Sequence, residues 1–359
     1  MNAISHLDFT INQPAARVRL APGARREVRG ELGRLGVKRA LVLSTPGQSA
    51  LALEIAAGLG DAAAGVFTRA QMHTPVAVTS EAMATVNVAR ADCLVSVGGG
   101  SAIGLGKAIA CRTNLPQIAL PTTYAGSEAT AILGQTQDGI KTTLTDPKVR
   151  PEVVIYDPEL IARLPSATTV TSAMNAMAHA VEALYAKDAN PLSTAMAVES
   201  LEAFITGLPE VVRNPADLDA RGRTQYGAWL CGSVLGQVGM ALHHKLCHTL
   251  GGALGLPHAA THAIILPHAT AYNAAAAAEK LAPVSDLLGG GAPGRALYAF
   301  ASEMGAPTAL RTLGVDEADL DRVADLALTK PYWSPAPIKR NAIRALLQAA
   351  WSGEPPAAG

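Results

Sequence analysis

The stretch DCLVSVGGGSAIGLGKAIACR (92–112) constrains the fold more than any other. An unbroken apolar, β-rich run meets three consecutive glycines, and a helical pattern begins at once. A strand without polar alternation is buried on both faces, and the helix that follows it must fold back over the sheet. RALVLST (39–45) with a helical segment after Pro46, QIALPTT (117–123) and VVIYDP (153–158) repeat this grammar. Together they predict an α/β unit with a mostly parallel sheet over residues 1–158. Ligands of such sheets bind beyond the carboxyl ends of the strands, where the glycine-rich and threonine-rich turns lie.

After about residue 160 the strands stop. TVTSAMNAMAHAVEALYA, PLSTAMAVESLEAFITGL, LDARGRTQYGAWLCGSVLG and NAIRALLQAAW read at helical period, with Pro or Gly clusters between them. The Ala-rich NAAAAAEKL (273–281) reads as further helix, and the terminal GEPPAAG as frayed. The expected architecture is an N-terminal α/β domain (1–158) and an all-α substrate domain (159–359), with a cleft between them.

Composition narrows the function. Of 359 residues, 49% are hydrophobic and 16% charged, which describes a globular chain and not a disordered one. Lys plus Arg (29) equals Asp plus Glu (29), so no one-sided positive field invites nucleic acid. Gly, Pro or charged residues interrupt every apolar run before membrane-spanning length. The opening MNAISHLDFTINQP lacks the basic-then-apolar layout of a signal peptide, so a cytoplasmic protein is expected. Cys93, Cys111, Cys231 and Cys247 form no Cys-x-x-Cys pair and read as reduced thiols.

Two turns carry the cofactor signal. In VGGGS, backbone amides and the helix N-terminus can face a diphosphate, Gly99 and Gly100 permit close approach, and Ser101 can cap or bind a phosphate oxygen. Neither G-x-G-x-x-G nor G-x-x-x-x-G-K-[ST] matches. In LPTTYAGSEAT (120–130), Thr122 and Thr123 end a strand and offer hydroxyls to a ribose or nicotinamide. The chemistry signal lies further on, in MALHHKLCHTLGGALGLPH (240–258), which holds four of the nine histidines. Residues four apart share a helix face, so His244 pairs with His248, as Asn175 does with His179.

GGGSAIGLGKA, PTT…GSE, YDPEL (156–160), NAMAH and H-x-x-x-H…PH occur in this order in one family. Over roughly residues 10–350 the chain resembles the iron-containing (group III) alcohol dehydrogenases, with their dehydroquinate synthase-like fold. Within them it is most similar to the maleylacetate reductases. The resemblance implies NAD(P)-dependent hydride transfer in an interdomain cleft of a homodimer. Gly99, Gly100, Ser101, Thr122, Thr123, Lys141 and Leu160 would touch the dinucleotide, and His73 would lie near its adenosine. Where many relatives carry an acidic residue for the ribose 2′-hydroxyl, this chain has Ser44 and Thr45. With no carboxylate there to repel a 2′-phosphate, NADH use with NADPH tolerated is expected.

In metal-dependent members, an aspartate and three histidines hold the ion at positions matching Asn175, His179, His244 and His258. Asparagine offers only a neutral oxygen, so a dication would keep nearly its full charge, and no metal is expected. An enone is reducible without one. The resemblance therefore implies reduction of the C=C of 2-maleylacetate to 3-oxoadipate in aromatic-compound degradation. Asn175, His179, His243, His244, His248 and His258 would form the polar wall of the site, with the proton donor among the histidines left open. His243 and Lys245 are candidates for a carboxylate of a small dicarboxylate substrate. KPYWSPAPIKR (330–340) would lie over the cleft, with Lys330, Lys339 and Arg340 offsetting the Ala336 that replaces an arginine of relatives. The alternative is a metal-dependent dehydrogenase of a small alcohol or aldehyde, with Asn175 tolerated as a ligand.

Overall fold

The computed structural model describes residues 16–330 and 332–357. The opening segment read for a signal peptide and the last two residues of the tail lie outside these. Six strands, β1 (Arg17–Leu20), β2 (Ala40–Leu43), β3 (Ala63–Phe67), β4 (Cys93–Gly98), β5 (Gln117–Pro121) and β8 (Val153–Tyr156), form one sheet in the order β1-β8-β5-β4-β2-β3. Every neighbouring pair is parallel. β2 and β4 are buried at every residue, as their unbroken apolar runs require. Helices α1 (Val28–Leu35), α2 (Ser49–Leu59), α3 (Val76–Ala89) and α4 (Gly100–Thr113) cover the two faces.

The remaining strands, β6 (Ile132–Gln137) and β7 (Ile140–Thr145), make a separate antiparallel hairpin. Its two-residue turn is Asp138-Gly139, both at positive φ (51° and 75°), the mirror-image turn that matches strand twist. The hairpin packs on α4 and traps Lys107, whose buried Nζ donates to Thr130 O, Thr130 Oγ1 and Ile132 O at 2.8–2.9 Å.

Beyond β8 the described residues are helical. A short α5 (Pro158–Ile161) leads to α6 (Ser166–Leu184), α7 (Pro191–Arg213) and α8 (Leu218–Leu235). Then come α9 (Leu242–Leu254), α10 (His258–Asn273), α11 (Ala278–Leu287), α12 (Pro293–Glu303), α13 (Asp319–Ala327) and α14 (Arg340–Ser352). One core joins α6, α7 and α8 through Met177, Val181, Phe204 and Val234, and a second joins α9, α13 and α14 through Leu246, Val323 and Leu347. α10 serves both, sending Leu266 into the first and Ile265 into the second. Among the described residues no helix is long and apolar enough to cross a membrane.

Two local expectations are corrected. The Ala-rich run is not continuous helix: residues 274–277 form a turn between α10 and α11. Alanine's helix propensity loses to packing there, since Ala274 and Ala277 are buried and Asn273 is held by other contacts. The tail is not frayed as far as Ala357, because Pro356 is buried and its carbonyl accepts from Arg295 Nε at 3.1 Å.

Candidate active site

In this strand order the chain runs outward from β2 to β3 and then crosses back to β4, so the switch point lies between β2 and β4. Loops diverge there and leave a crevice above the sheet. At the end of β2, Thr45 precedes a tight turn at Pro46–Gln48. At the end of β4, Gly98 takes φ 146° and Gly100 opens α4, so the helix's free amides face the crevice. A Cβ on Gly99 would come within 2.9 Å of Thr123 Oγ1, so the glycine-rich and threonine-rich turns are in contact. A cleft of about 540 Å³ opens beside them, lined by Gln48, Thr122, Leu160, Arg25, Glu159 and Arg163 among others.

Thr122 and Leu160 thus line the cleft, with Thr45 on the adjoining turn, while Gly99, Gly100, Ser101 and Thr123 gather at the start of α4 beside it. His73, expected near the adenosine, follows the edge strand β3 at φ 64° and does not line this cleft. Its neighbour Thr74 binds the hairpin through its carbonyl. The side chain of Lys141 lies outside the described residues.

The threonine-rich turn also reaches the helices. Tyr124 N donates to Ser172 Oγ at 2.9 Å, and the Tyr124 hydroxyl pairs with Thr224 Oγ1 at 2.8 Å. Gly126 and Gly232 of α8 meet backbone to backbone, and a Cβ on Gly126 would lie 3.7 Å from His179 Nδ1. The threonine-rich turn therefore reaches from the crevice to the histidines.

Three helices supply that polar cluster. α6 contributes Asn175, His179 and Glu182 from one face, α9 contributes His243, His244 and His248, and α10 contributes His258 and His262. They are layered. His248 and His258 are exposed, Asn175, His179 and His244 are nearly buried, and His243 and His262 are fully buried. His179 stacks on His244 with centroids 5.1 Å apart, and His258 lies 4.1 Å from His262. Burial first, then the crowd of imidazoles, pushes His179, His243 and His262 well below the ordinary histidine range, which favours their neutral forms.

Glu182 organises the cluster. Its carboxylate accepts from the amides of Ala241 (2.9 Å) and His243 (2.6 Å) at the start of α9, where a helix N-terminus favours an anion. It also accepts Nδ1–H of His244 at 2.7 Å. That bond sets the His244 tautomer and leaves Nε2 without a protein partner. Asn175 Oδ1 and His179 Nδ1 are likewise buried and unpartnered. Unpaired buried polar atoms are costly, so the trio calls for a polar guest.

The family's metal position here holds Asn175, His179, His244 and His258, with no carboxylate of its own. The Glu182 carboxylate is consumed by its three donors, and Asn175 brings no charge. Among the described residues, the one trio of His, Cys, Asp or Glu with donor atoms within 4.8 Å of one another is His243, Cys247 and His262. His179, His244 and His258 do not close to that spacing. Neutral imidazoles and an amide oxygen offset less of a dication's charge than a set with an aspartate does.

Sequence reasoning missed Glu182 and His262, yet both carried a signal: Glu182 stands three residues after His179, and His258-x-x-x-His262 repeats the spacing of His244 and His248. His243 needs correction. Expected at a substrate carboxylate, it is fully buried, with Nε2 3.0 Å from His262 Nδ1 and 3.6 Å from Cys247 Sγ. Successive helical residues point about 100° apart, so once His244 engages Glu182, His243 must face α10. Lys245 is half-buried, its Nζ 5.5 Å above the Tyr332 ring.

Tyr332 belongs to the Pro-rich strap, which crosses α6, α9 and α10. Trp333 Nε1 donates to Tyr185 O at 2.9 Å, and Ser334 Oγ and Ala336 N donate to Asn273 Oδ1. Arg340, expected to offset the missing arginine, is instead paired with Asp321 and Asp325 at the surface. Lys330 and Lys339 are exposed.

Comparison with known proteins agrees with this arrangement. Residues 15–158 match the family described as iron-containing alcohol dehydrogenase, and residues 169–351 match the C-terminal part of the Fe-containing alcohol dehydrogenase family. A maleylacetate reductase of Rhizobium sp. strain MTP-10005 is 57% identical over 97% of this chain and 99% of its own. The crystal structure of maleylacetate reductase from Agrobacterium tumefaciens superposes with a TM-score of 0.96 at 56% identity, covering 98% of this chain and all of that one. An iron-containing alcohol dehydrogenase of Corynebacterium glutamicum gives 0.94 at 37% identity, over 98% of this chain and 99% of that one. With both halves matched and the sheet, crevice and helical cluster in place, this chain belongs to the iron-containing alcohol dehydrogenase family.

Proposed function

We propose that the protein reduces the carbon–carbon double bond of maleylacetate with NADH, giving 3-oxoadipate, and that it does so without a metal ion. The reading is supported by relatives named maleylacetate reductase at 46–57% identity across nearly the whole chain. The observation that carries the metal-free part is Glu182, whose three hydrogen bonds leave the cluster with no free anionic ligand.

NADH supplies the hydride. The amides at the start of α4, Ser101 and the hydroxyls of Thr122 and Thr123 hold the dinucleotide. NADPH is accepted too, since no carboxylate stands at Ser44 or Thr45. Hydride addition at the carbon β to the ketone moves an electron pair onto the ketone oxygen. Imidazoles of the cluster stabilise that enolate as hydrogen-bond donors. Protonated His244 gives its Nε2 proton to the α-carbon while Glu182 holds the opposite edge of the ring. Lys245, beside Tyr332, takes a substrate carboxylate.

The test is NADH oxidation with maleylacetate, a simple enone and small aldehydes side by side, with and without chelator. Turnover of maleylacetate alone, unchanged by chelation, is expected. Aldehyde turnover that vanishes on chelation and returns with Fe²⁺ would establish the metal-dependent dehydrogenase instead.

A further inference from the structure

We propose that His243, Cys247 and His262 form a binding site for a borderline-soft divalent cation, zinc above all, distinct from the family's metal position. The donors are His243 Nε2, His262 Nδ1 and Cys247 Sγ, all from buried side chains and all within 4.8 Å of one another. Zn–N bonds of about 2.0–2.1 Å and a Zn–S bond of about 2.3 Å give tetrahedral edges of about 3.3 Å for N···N and about 3.6 Å for N···S. The structure has 3.0 Å between the two nitrogens and 3.6 Å between Cys247 Sγ and His243 Nε2. Two of the three edges are therefore within a few tenths of an ångström of those of a tetrahedral site, and the third, Cys247 to His262, lies within 4.8 Å.

Sequence and packing explain the fit. His243 and Cys247 are four apart on α9 and share a face. α10 crosses that face and presents His262, with Leu242, Leu246 and Ile264 as the apolar surround. The thiol selects zinc, cadmium or cobalt over magnesium, and the oxygen-poor donor set disfavours hard ions.

The proton balance closes. In the metal-free protein one ring proton occupies the edge between His243 and His262. On binding it moves to the far nitrogen of its own ring, His243 Nδ1 or His262 Nε2, neither of which has a partner. The Cys247 thiol releases its proton to solvent as the S–metal bond forms. The site then carries one net positive charge, next to Glu182, which accepts from the His243 amide. The ring of His244 lies 5.2 Å from His243 and 5.0 Å from His262.

The experiment is a Co²⁺ titration of chelator-treated full-length protein, followed by Zn²⁺ competition, on wild type, Cys247→Ser, His262→Gln and His258→Ala. Wild type and His258→Ala should bind one Co²⁺ with a thiolate-to-cobalt charge-transfer band. Cys247→Ser should lose the band, and both triad variants should lose zinc affinity by more than about a hundredfold, beyond what changes around a ligand cost. Circular dichroism checks folding, and Cys247→Ser should retain NADH oxidation. A wild type without the band, a band that persists in Cys247→Ser, or one lost in His258→Ala would overturn the site.

Discussion

Glu182 and Asn175, two positions on one helix, divide the chemistry between them. Glu182 spends its charge on two amides and one imidazole, and Asn175 offers a neutral oxygen where metal-dependent relatives would have a charged one. Glu182→Gln should keep the fold but lose the charge that supports protonated His244. We expect kcat to fall by about 10²–10⁴, the range of general-acid effects, with KM for maleylacetate changed little. An equal rise in KM at unchanged kcat would move Glu182 into substrate binding. Asn175→Asp should restore an anionic oxygen beside His179. Metal content after loading with Fe²⁺ or Zn²⁺ should rise toward one additional ion per chain, and enone reduction should slow. No gain in metal would mean that the lost carboxylate is not what turns the cation away.

At the scale of elements, the site depends on how closely the threonine-rich turn approaches α8. A Cβ on Gly232 would lie 2.7 Å from the Gly126 carbonyl oxygen and 2.9 Å from its Cα. Backbone cannot rotate aside as a side chain can, so Gly232→Ala must push the turn away from His179. We expect a loss of about 1–3 kcal/mol in stability, read by denaturant unfolding, and a weaker NADH affinity. Unchanged stability and affinity would show that the turn has slack. The strands and the glycine turn of the N-terminal half were legible because continuous apolar runs leave few alternatives. The hairpin was overlooked although Asp138-Gly139 announces it. The Ala-rich turn was not legible at all, since propensity pointed the other way and only the docking of the strap on Asn273 decides it.

For the whole molecule, the buried imidazoles set the acid limit. His268 in α10 is pushed down to about 4 by burial, while the unfolded chain binds its proton near 6.5. Between those values only the unfolded state is protonated, so stability present above pH 6.5 is lost as the pH falls toward 4. His179, His243 and His262 act in the same direction. Each contributes a slope of at most about 1.4 kcal/mol per pH unit in that window. Unfolding free energies from pH 7 to pH 4 should fall steeply, and His268→Gln should flatten the curve by about one proton. A curve of unchanged slope would mean that His268 is protonated in the folded protein.

What the sequence determined by itself was local: buried parallel strands from apolar runs, helix faces from residues four apart, and a phosphate-type turn from adjacent glycines. The ordered motifs also carried the family. Only the tertiary structure decided which histidine meets a carboxylate, because Glu182 and His244 lie on different helices and come together through the packing of both α6 and α9 on α10. It also buried His243 against His262 and so brought His262 into the cluster. The reason is geometric: one-dimensional spacing tells which residues share a helix face, but not which second helix that face will meet.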